Sequence, residues 1–147
     1  MKILALDVGT VRIGVAISDD LEMGAYPLMT YTRVGALKRD LAAIQVIAAE
    51  QEADTILVGL PTSIDGGEGP QAKYTRGFGD ALAKVIGVPL VYWDESMTSV
   101  EANDILIGMN YSRQKRRLVL DQWAAKLLLE SYLDHRRATN ARREAPG

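Results

Sequence analysis

Several carboxylates stand where an acidic residue is unusual, directly after apolar runs. Asp7 follows the run ILAL, and the pair Asp94 and Glu95 ends the run LVYW. The carboxyl ends of neighbouring parallel strands converge on the ligand crevice of an open α/β sheet, so we expect these acids to meet there. Because side chains alternate along a strand, only one of Asp94 and Glu95 should face that crevice.

A further carboxylate, Asp121, lies on the apolar stripe of a predicted helix. The residues of this stripe recur at spacings of three and four and share one face: Leu118, Asp121, Ala125, Leu128 and Tyr132. A buried ionised carboxylate is costly without a positive partner. The candidate partners at the helix edge are Arg116, Arg117 and Lys126. The small side chains of Ala124 and Ala125 would let the helix approach the sheet and bring Asp121 towards Asp7.

Three carboxylates around one crevice repel one another, and no Lys or Arg directly flanks Asp7 or Glu95. The expected neutraliser is therefore a divalent cation. Mg²⁺ prefers oxygen ligands and is commonly held by a few carboxylates together with water and substrate phosphate. Two such ions about 3.5–4 Å apart stabilise the attacking and leaving oxygens of an in-line phosphoryl displacement. Each acid also has a structural interpretation, as a turn former, a helix cap or half of an ion pair.

The composition excludes several other kinds of chemistry. The chain has 147 residues, 48% of them hydrophobic and 24% charged, which fits one globular domain. It has no cysteine, which excludes disulfides, zinc–cysteine sites and thiol catalysis, and its single histidine, His135, argues against a Ser-His-Asp triad. No apolar run reaches the roughly 20 residues of a membrane span. The N-terminal segment MKILALDVGT already has the pattern of folded sequence, with no separate leader before it. We therefore expect no leader, no membrane partner and a cytoplasmic location.

Charge is divided unevenly along the chain. Residues 1–112 hold 8 basic and 15 acidic residues, a net charge of −7, whereas residues 113–147 hold 9 and 4, a net charge of +5. Two interpretations stay open at this point: a solvated helix face with a ragged tail, or a phosphate-contacting surface beside an acidic site.

The hydrophobic patterns predict an α/β fold with the element order β-β-β-α-β-α-β-α-α. Strands are predicted over residues 2–7, 13–18, 28–34, 55–60 and 90–94, and helices over residues 36–52, 71–86, 99–109 and 114–137. A meander followed by right-handed crossovers gives a mixed five-stranded sheet with helices on both faces. We expect one domain over residues 1–135 and a loose basic tail over residues 136–147, which lack apolar periodicity.

Four motifs, taken in order, resemble the YqgF/RuvX family. They are ALDVGT with IGVA in residues 5–16, VGLP followed by the DG of Asp65 and Gly66, DESMTS from Asp94, and DQWAA with LLESYL from Asp121. Together they extend over residues 3–134. A lone D-x-G-T also opens actin-like kinases, which use two such domains, so it is the set of four that is specific.

The resemblance implies an RNase H-like fold and a nuclease activity. The family is described both as Holliday-junction resolvases and as nucleases that mature the 5′ end of pre-16S rRNA in the bacterial cytoplasm. Its catalytic, metal-binding carboxylates correspond here to Asp7, Glu95 and Asp121, and the implied cofactor is Mg²⁺ or Mn²⁺. The sequence departs from the family at Ser96, where Arg is usual, and so lacks one candidate phosphate contact.

Several further residues are candidate contacts to a nucleic-acid backbone. The N–H groups of Gly9 and Thr10, or of residues 65–67, could hold a phosphate. The candidate substrate-binding residues are Thr10, Arg12, Asp65, Gly66, Thr98, Arg113, Arg116 and Arg117, with Lys73, Arg76 and Lys115 as further cations. Phosphate contacts position a nucleic acid without reading its sequence.

We therefore predict a metal-dependent nuclease that acts on RNA in 5′-end processing of pre-16S rRNA. The alternatives are a Holliday-junction resolvase and an inactive module that only binds nucleic acid. Neither the choice between RNA and DNA nor the choice between a monomer and a homodimer follows from these residues, although a junction resolvase would need paired sites in a two-fold dimer.

Overall fold

A five-stranded mixed sheet lies between two helical layers. The computed structural model describes residues 1–61, 68–94 and 113–144. Its strands are β1 (Ile3–Val8), β2 (Arg12–Ser18), β3 (Ala25–Thr32), β4 (Thr55–Leu60) and β5 (Leu90–Asp94). Its helices are α1 (Leu37–Glu50), α2 (Pro70–Ile86) and α3 (Arg113–Glu144). The predicted α/β sheet is confirmed, and the predicted helix at 99–109 lies outside the described residues.

The sheet order, β3-β2-β1-β4-β5, brings the ends of distant strands together. β1, β2 and β3 form an antiparallel meander, whereas β4 runs parallel to β1 and β5 runs parallel to β4. The carboxyl ends of β1, β4 and β5 therefore lie at one edge. Asp7 and Asp94 both occupy that edge, as the apolar runs predict.

Each face of the sheet buries its own hydrophobic cluster. One face packs α1 and α2 against alternate strand residues, among them Leu4, Leu6, Ile13 and Val15. The other face packs α3 against the intervening positions, which include Ile3, Ala5, Ala16 and Leu57. Fully burying a Leu or Ile side chain stabilises the fold by about 1.5–3 kcal/mol. These two clusters therefore fix which face each strand residue presents.

Two elements differ from their predicted bounds. β3 begins at Ala25 rather than residue 28 and contains Pro27, which the sheet tolerates because β3 is an edge strand beside a register shift in β2. α3 continues to Glu144, so residues 136–144 are helical where the sequence predicts a loose tail. The guanidinium of Arg137 bonds the carbonyl oxygens of Glu22 and Met23 at 2.9 and 2.7 Å, which fastens this part of the helix to the β2–β3 connection.

Within the parts of the chain that the structure describes, no helix combines the length and the apolarity needed to cross a membrane. α3 is long, at 32 residues, but acidic and basic side chains recur along it.

A buried ion pair joins the β3–α1 connection to the β1–β2 turn. Asp40 is fully buried, and its carboxylate accepts hydrogen bonds from Arg33 Nε at 2.9 Å, Tyr31 OH at 2.8 Å and the Val34 N–H at 3.1 Å. Arg33 Nη1 also donates to the carbonyl oxygen of Gly9 at 3.1 Å. Burial alone would raise the pKa of Asp40, but the hydrogen bonds from Val34, Arg33 and Tyr31 hold that pKa below its ordinary value.

We expect Asp40→Asn to lower the free energy of unfolding by about 3 kcal/mol, because Arg33 would stay buried without its counter-ion. Ionised Asp40 adds stability above the unfolded-state pKa of about 4, and this stability is lost as pH falls through the lower folded pKa. Urea unfolding at pH 7, 5 and 2 measures both effects. Between pH 5 and 2 the wild type should lose more stability than the variant, and exposed Asp20→Asn is the matched control. Parallel pH curves for wild type and Asp40→Asn would contradict this role.

Candidate active site

Asp7 lies on the face of the sheet that α3 covers. Ile3 and Ala5, at alternate positions of β1, pack in the α3 cluster, whereas Leu4 and Leu6 pack against α1 and α2. Strand alternation therefore places Asp7 beneath α3, and Asp7 is the penultimate residue of β1. The side chain is half-buried there.

The backbone of α3 touches the sheet directly beside Asp7. Gly14 of β2 is the register partner of Asp7, and a Cβ built on Gly14 would lie 1.9 Å from the carbonyl oxygen of Asp121. Paired residues on antiparallel strands have Cα atoms about 4.5–5.5 Å apart, so Asp121 sits next to Asp7. Ala124 and Ala125 are buried at the same contact, as their small size predicts. The fold thus brings two of the three predicted carboxylates together.

Asp121 pairs with a residue of the sheet. Its Oδ2 atom lies 2.7 Å from Nε of Arg12, and the two side chains are 20% and 32% exposed. The expectation of a partner on the helix edge is wrong, and Lys126 pairs with Glu130 instead. The physical reason is that Asp121 faces β2, where Arg12 precedes Gly14 by two residues and projects from the same face.

The turn between β1 and β2 closes through its own backbone. The N–H of Gly9 donates to the carbonyl oxygen of Arg12 at 2.9 Å, and a Cβ on Gly9 would lie 2.7 Å from that oxygen. This confirms Gly9 as the turn glycine. It also removes the Gly9 N–H as a phosphate ligand, contrary to one sequence prediction, while Thr10 stands exposed at the tip of the turn.

The strand register distinguishes Asp94 from its neighbour. Tyr92 packs against the α1/α2 cluster, whereas Val91 and Trp93 pack against the α3 cluster. Asp94 therefore belongs to the face opposite Asp7. Glu95 lies outside the described residues, as do Asp65, Gly66 and Thr98, so their roles stay predictions. Among the residues that are described, no three His, Cys, Asp or Glu side chains cluster as metal ligands.

Comparison with known proteins decides the family. The family model described as "RuvX: Holliday junction resolvase" matches residues 1–135. The chain belongs to this family. A Myxococcus xanthus relative named "Putative pre-16S rRNA nuclease" is 43% identical over 137 residues, which are 93% of this chain and 90% of the relative. A relative of the same name from Carboxydothermus hydrogenoformans is 40% identical over 136 residues, 92% of this chain and 98% of its own.

Solved structures confirm the RNase H-like fold of this RuvX-family chain. The T. thermophilus RuvC structure in complex with Holliday junction substrate superposes with a TM-score of 0.60 at 13% identity, covering 95% of this chain and 97% of RuvC. A second Thermus thermophilus RuvC structure gives a TM-score of 0.55 at 15% identity, with coverage of 95% and 98%. At these identities the likeness concerns the fold alone.

The basic candidates of this RuvX-family chain fall into two groups. Arg116, half-buried, and Arg117, exposed, lie about one turn before Asp121 on α3, close to the paired carboxylates. Arg113 begins α3, but its side chain is outside the described set. Arg76 lies on α2, across the sheet, and bonds Glu68 at 2.6–3.0 Å, so that ion pair already occupies it.

The single histidine is remote from the carboxylates. His135 follows Asp121 by 14 residues along α3, which is about 21 Å at 1.5 Å per residue. Its ring packs against Trp93, with centroids 4.9 Å apart. Histidine chemistry therefore has no place at this site, in agreement with the composition.

The donor set suits a hard divalent cation. Asp7 and Asp121 offer carboxylate oxygens, the ligands that Mg²⁺ prefers. A carboxylate has two acceptor oxygens, so Asp121 retains Oδ1 while Oδ2 bonds Arg12. Sequence reasoning missed Gly14, although a glycine inside a strand often marks the close approach of another backbone.

Proposed function

We propose that this RuvX-family nuclease hydrolyses RNA phosphodiester bonds in the 5′-end processing of pre-16S rRNA, in the cytoplasm, with Mg²⁺ or Mn²⁺ as cofactor. The observation that carries the proposal is the contact between the Asp121 backbone and Gly14, which is the register partner of Asp7. Arg12 is hydrogen-bonded to the carboxylate of Asp121 at the same place. The names of the relatives favour RNA as the substrate.

In this proposal Asp7, Asp121 and Glu95 hold the metal. The bound cation supplies an activated water and stabilises the negative charge that develops on the leaving oxygen. Arg12 orients Asp121 through Nε, and its Nη groups have no acceptor among the described residues. We assign these Nη groups to a non-bridging phosphate oxygen, for which a guanidinium is well suited.

Cleavage of three labelled substrates tests this proposal: single-stranded RNA carrying a pre-16S leader, duplex DNA and a four-way DNA junction. Each is incubated with Mg²⁺, Mn²⁺ or EDTA. Metal-dependent cleavage of the RNA is the expected result. Preferential cleavage of the junction would replace RNA processing with Holliday-junction resolution, the reaction in the name of the family model. Binding without cleavage of any substrate would indicate an inactive binding module.

Arg12→Gln is expected to bind Mn²⁺ about tenfold more tightly and to cleave more slowly. The guanidinium repels a cation and competes for Asp121 Oδ2, so its removal favours metal binding. Its loss also removes the proposed phosphate contact. Calorimetric titration of Mn²⁺ measures the first effect and initial cleavage rates measure the second, with exposed Arg39→Gln as the control. Unchanged or weaker Mn²⁺ binding would show that Arg12 does not oppose the metal.

A further inference from the structure

A groove runs along the α1/α2 face of the sheet from the β1–β2 turn to α2. Two adjoining cavities of about 400 and 430 Å³ share Arg33, Leu37 and Tyr74. Thr10 and Val11 of the turn line the first cavity. Both volumes lie in the range of about 300–1,000 Å³ that is typical of ligand sites. We call these joined cavities the α1/α2 groove.

The surface of the α1/α2 groove is unusually apolar for an exposed region. Val11 is 57% exposed, Leu37 is 48% exposed and Tyr74 is 38% exposed. Phe78, at 3% exposure, lies deeper in the second cavity. Clustered exposed apolar side chains of this kind mark binding surfaces more often than isolated ones do.

The charges of the groove favour an anionic ligand. Lys73 and Arg33 line the second cavity, and no carboxylate is among its described lining residues. Asp40 lines the first cavity and is paired with Arg33, so the net positive charge of the described groove lining comes from Lys73. Arg33 bonds Asp40, Gly9 and the hydroxyl of Tyr74 through Nε and Nη1, which leaves Nη2 without an acceptor among the described residues.

An exposed helix glycine, Gly77, lines the second cavity. Gly77 lies in the middle of α2, where glycine costs about 1 kcal/mol relative to alanine. A Cβ built on Gly77 meets no described atom within 4 Å, whereas one on Gly79 would lie 2.3 Å from the hydroxyl of Tyr92. Packing therefore requires Gly79 but not Gly77, and the cost of Gly77 is explained if its open space holds a ligand.

We propose that the α1/α2 groove binds a nucleotide in a single-stranded part of the substrate. The base stacks against Tyr74 over the space beside Gly77, and a neighbouring phosphate contacts Lys73. Stacking of a base on an aromatic side chain beside cations is typical of sequence-independent single-strand binding. This assignment rests on the proposed function, because the turn that carries Arg12 towards Asp121 also presents Thr10 and Val11 to the groove.

Binding of a fluorescent 12-nucleotide strand, prepared as RNA and as DNA of the same sequence, tests the groove. Anisotropy titrations are run in EDTA, so that cleavage does not interfere. Tyr74→Ala should weaken binding about tenfold, whereas Tyr74→Phe should stay within about twofold of wild type, because the ring does the stacking. Tyr26→Ala, at a 54% exposed tyrosine on the edge strand β3, is the matched control.

Lys73→Gln should weaken binding and reduce the slope of log affinity against log salt by about 0.7, the value for one phosphate contact on a single strand. Lys84→Gln removes an exposed lysine in the last turn of the same helix and should change neither quantity. Equal slopes of log affinity against log salt for wild type and Lys73→Gln would show that Lys73 does not contact a phosphate.

Gly77→Leu separates a binding role from a structural one. Leucine is a good helix former, so the variant should unfold at a higher temperature than wild type. Its side chain would fill the cavity, so we expect binding of the strand to weaken at least about tenfold. If no ligand binds beside Gly77, Gly77→Leu should be more stable than wild type and should bind the strand equally well.

The outcomes distinguish this assignment from the proposed nuclease activity. If Tyr74→Ala, Lys73→Gln and Gly77→Leu lose binding but wild type cleaves no substrate, the groove assignment is supported and the proposed function is contradicted. If Tyr74→Ala and Tyr26→Ala bind equally, or wild type binds neither strand, the groove assignment is overturned whatever the cleavage assay shows.

Discussion

Replacing Asp7 with Asn is expected to slow metal-dependent cleavage by at least about a thousandfold and to leave the fold intact. The amide keeps the shape of the carboxylate but loses the negative charge that would hold the cation, and charge stabilisation by a catalytic metal is worth several kcal/mol. The side chain of Asp7 is only half-buried, so the change adds no fully buried polar group to the core. Initial rates in Mg²⁺, Mn²⁺ titration and a thermal melt measure activity, metal affinity and stability separately.

Asp94→Asn is the matched control for this experiment. Asp94 also ends a parallel strand at the same edge of the sheet, but its register places it on the α1/α2 face. This variant should therefore retain most of the activity. If both variants lost activity equally, the face assignment would be wrong, and full activity of Asp7→Asn would remove Asp7 from the catalytic site.

Gly14→Ala is expected to have the largest effect on stability, about 4 kcal/mol or more, and to abolish cleavage as well. The added Cβ would lie within 2.1 Å of two backbone atoms of Asp121, so α3 would have to move away from the sheet. Backbone atoms cannot rotate out of the way as a flexible side chain can, which places this change among the exceptional overpacking mutations. Asp121 would then be displaced from Asp7, and the proposed metal site would be lost with the packing.

Urea unfolding and Mn²⁺ titration of Gly14→Ala measure these two effects. Gly77→Ala, where the new Cβ meets no described atom, is the stability control and should be more stable than wild type by roughly 1 kcal/mol. If Gly14→Ala unfolded at the same urea concentration as wild type, the contact between α3 and β2 would be looser than the structure shows.

Local patterns were sufficient to predict most of the fold. Alternation along β1 and β5 and the three–four spacing on α3 depend on neighbouring residues, so they can be read without knowing the partner elements. The approach of Asp121 to Asp7 was also predictable, because the small residues Ala124 and Ala125 mark the helix position that packs closest to the sheet. Whether these acids, with Glu95, are catalytic stays a prediction.

The errors arose where an interaction joins distant parts of the chain. Arg12 and Asp121 are 109 residues apart, and nothing in the local sequence around Asp121 favours Arg12 over the nearer Arg116 or Arg117. The helical residues 136–144 are likewise accompanied by a contact to a distant part of the chain, in which Arg137 bonds the carbonyls of Glu22 and Met23. Such contacts follow from the three-dimensional arrangement of the sheet and α3.

The dependence of the site on α3 has a consequence for protein synthesis. Among the described elements, the face of the sheet with Ile3, Ala5 and Leu57 is covered by α3, a helix of 32 residues that is translated last of these elements. At about 5–20 residues per second the ribosome needs roughly 2–6 s to make that helix. Asp121 is the ninth residue of α3, so before that part of the helix is made the nascent chain lacks one carboxylate of the proposed metal site. In the proposed site, Asp121 therefore joins Asp7 only after α3 has been made and has packed against the sheet.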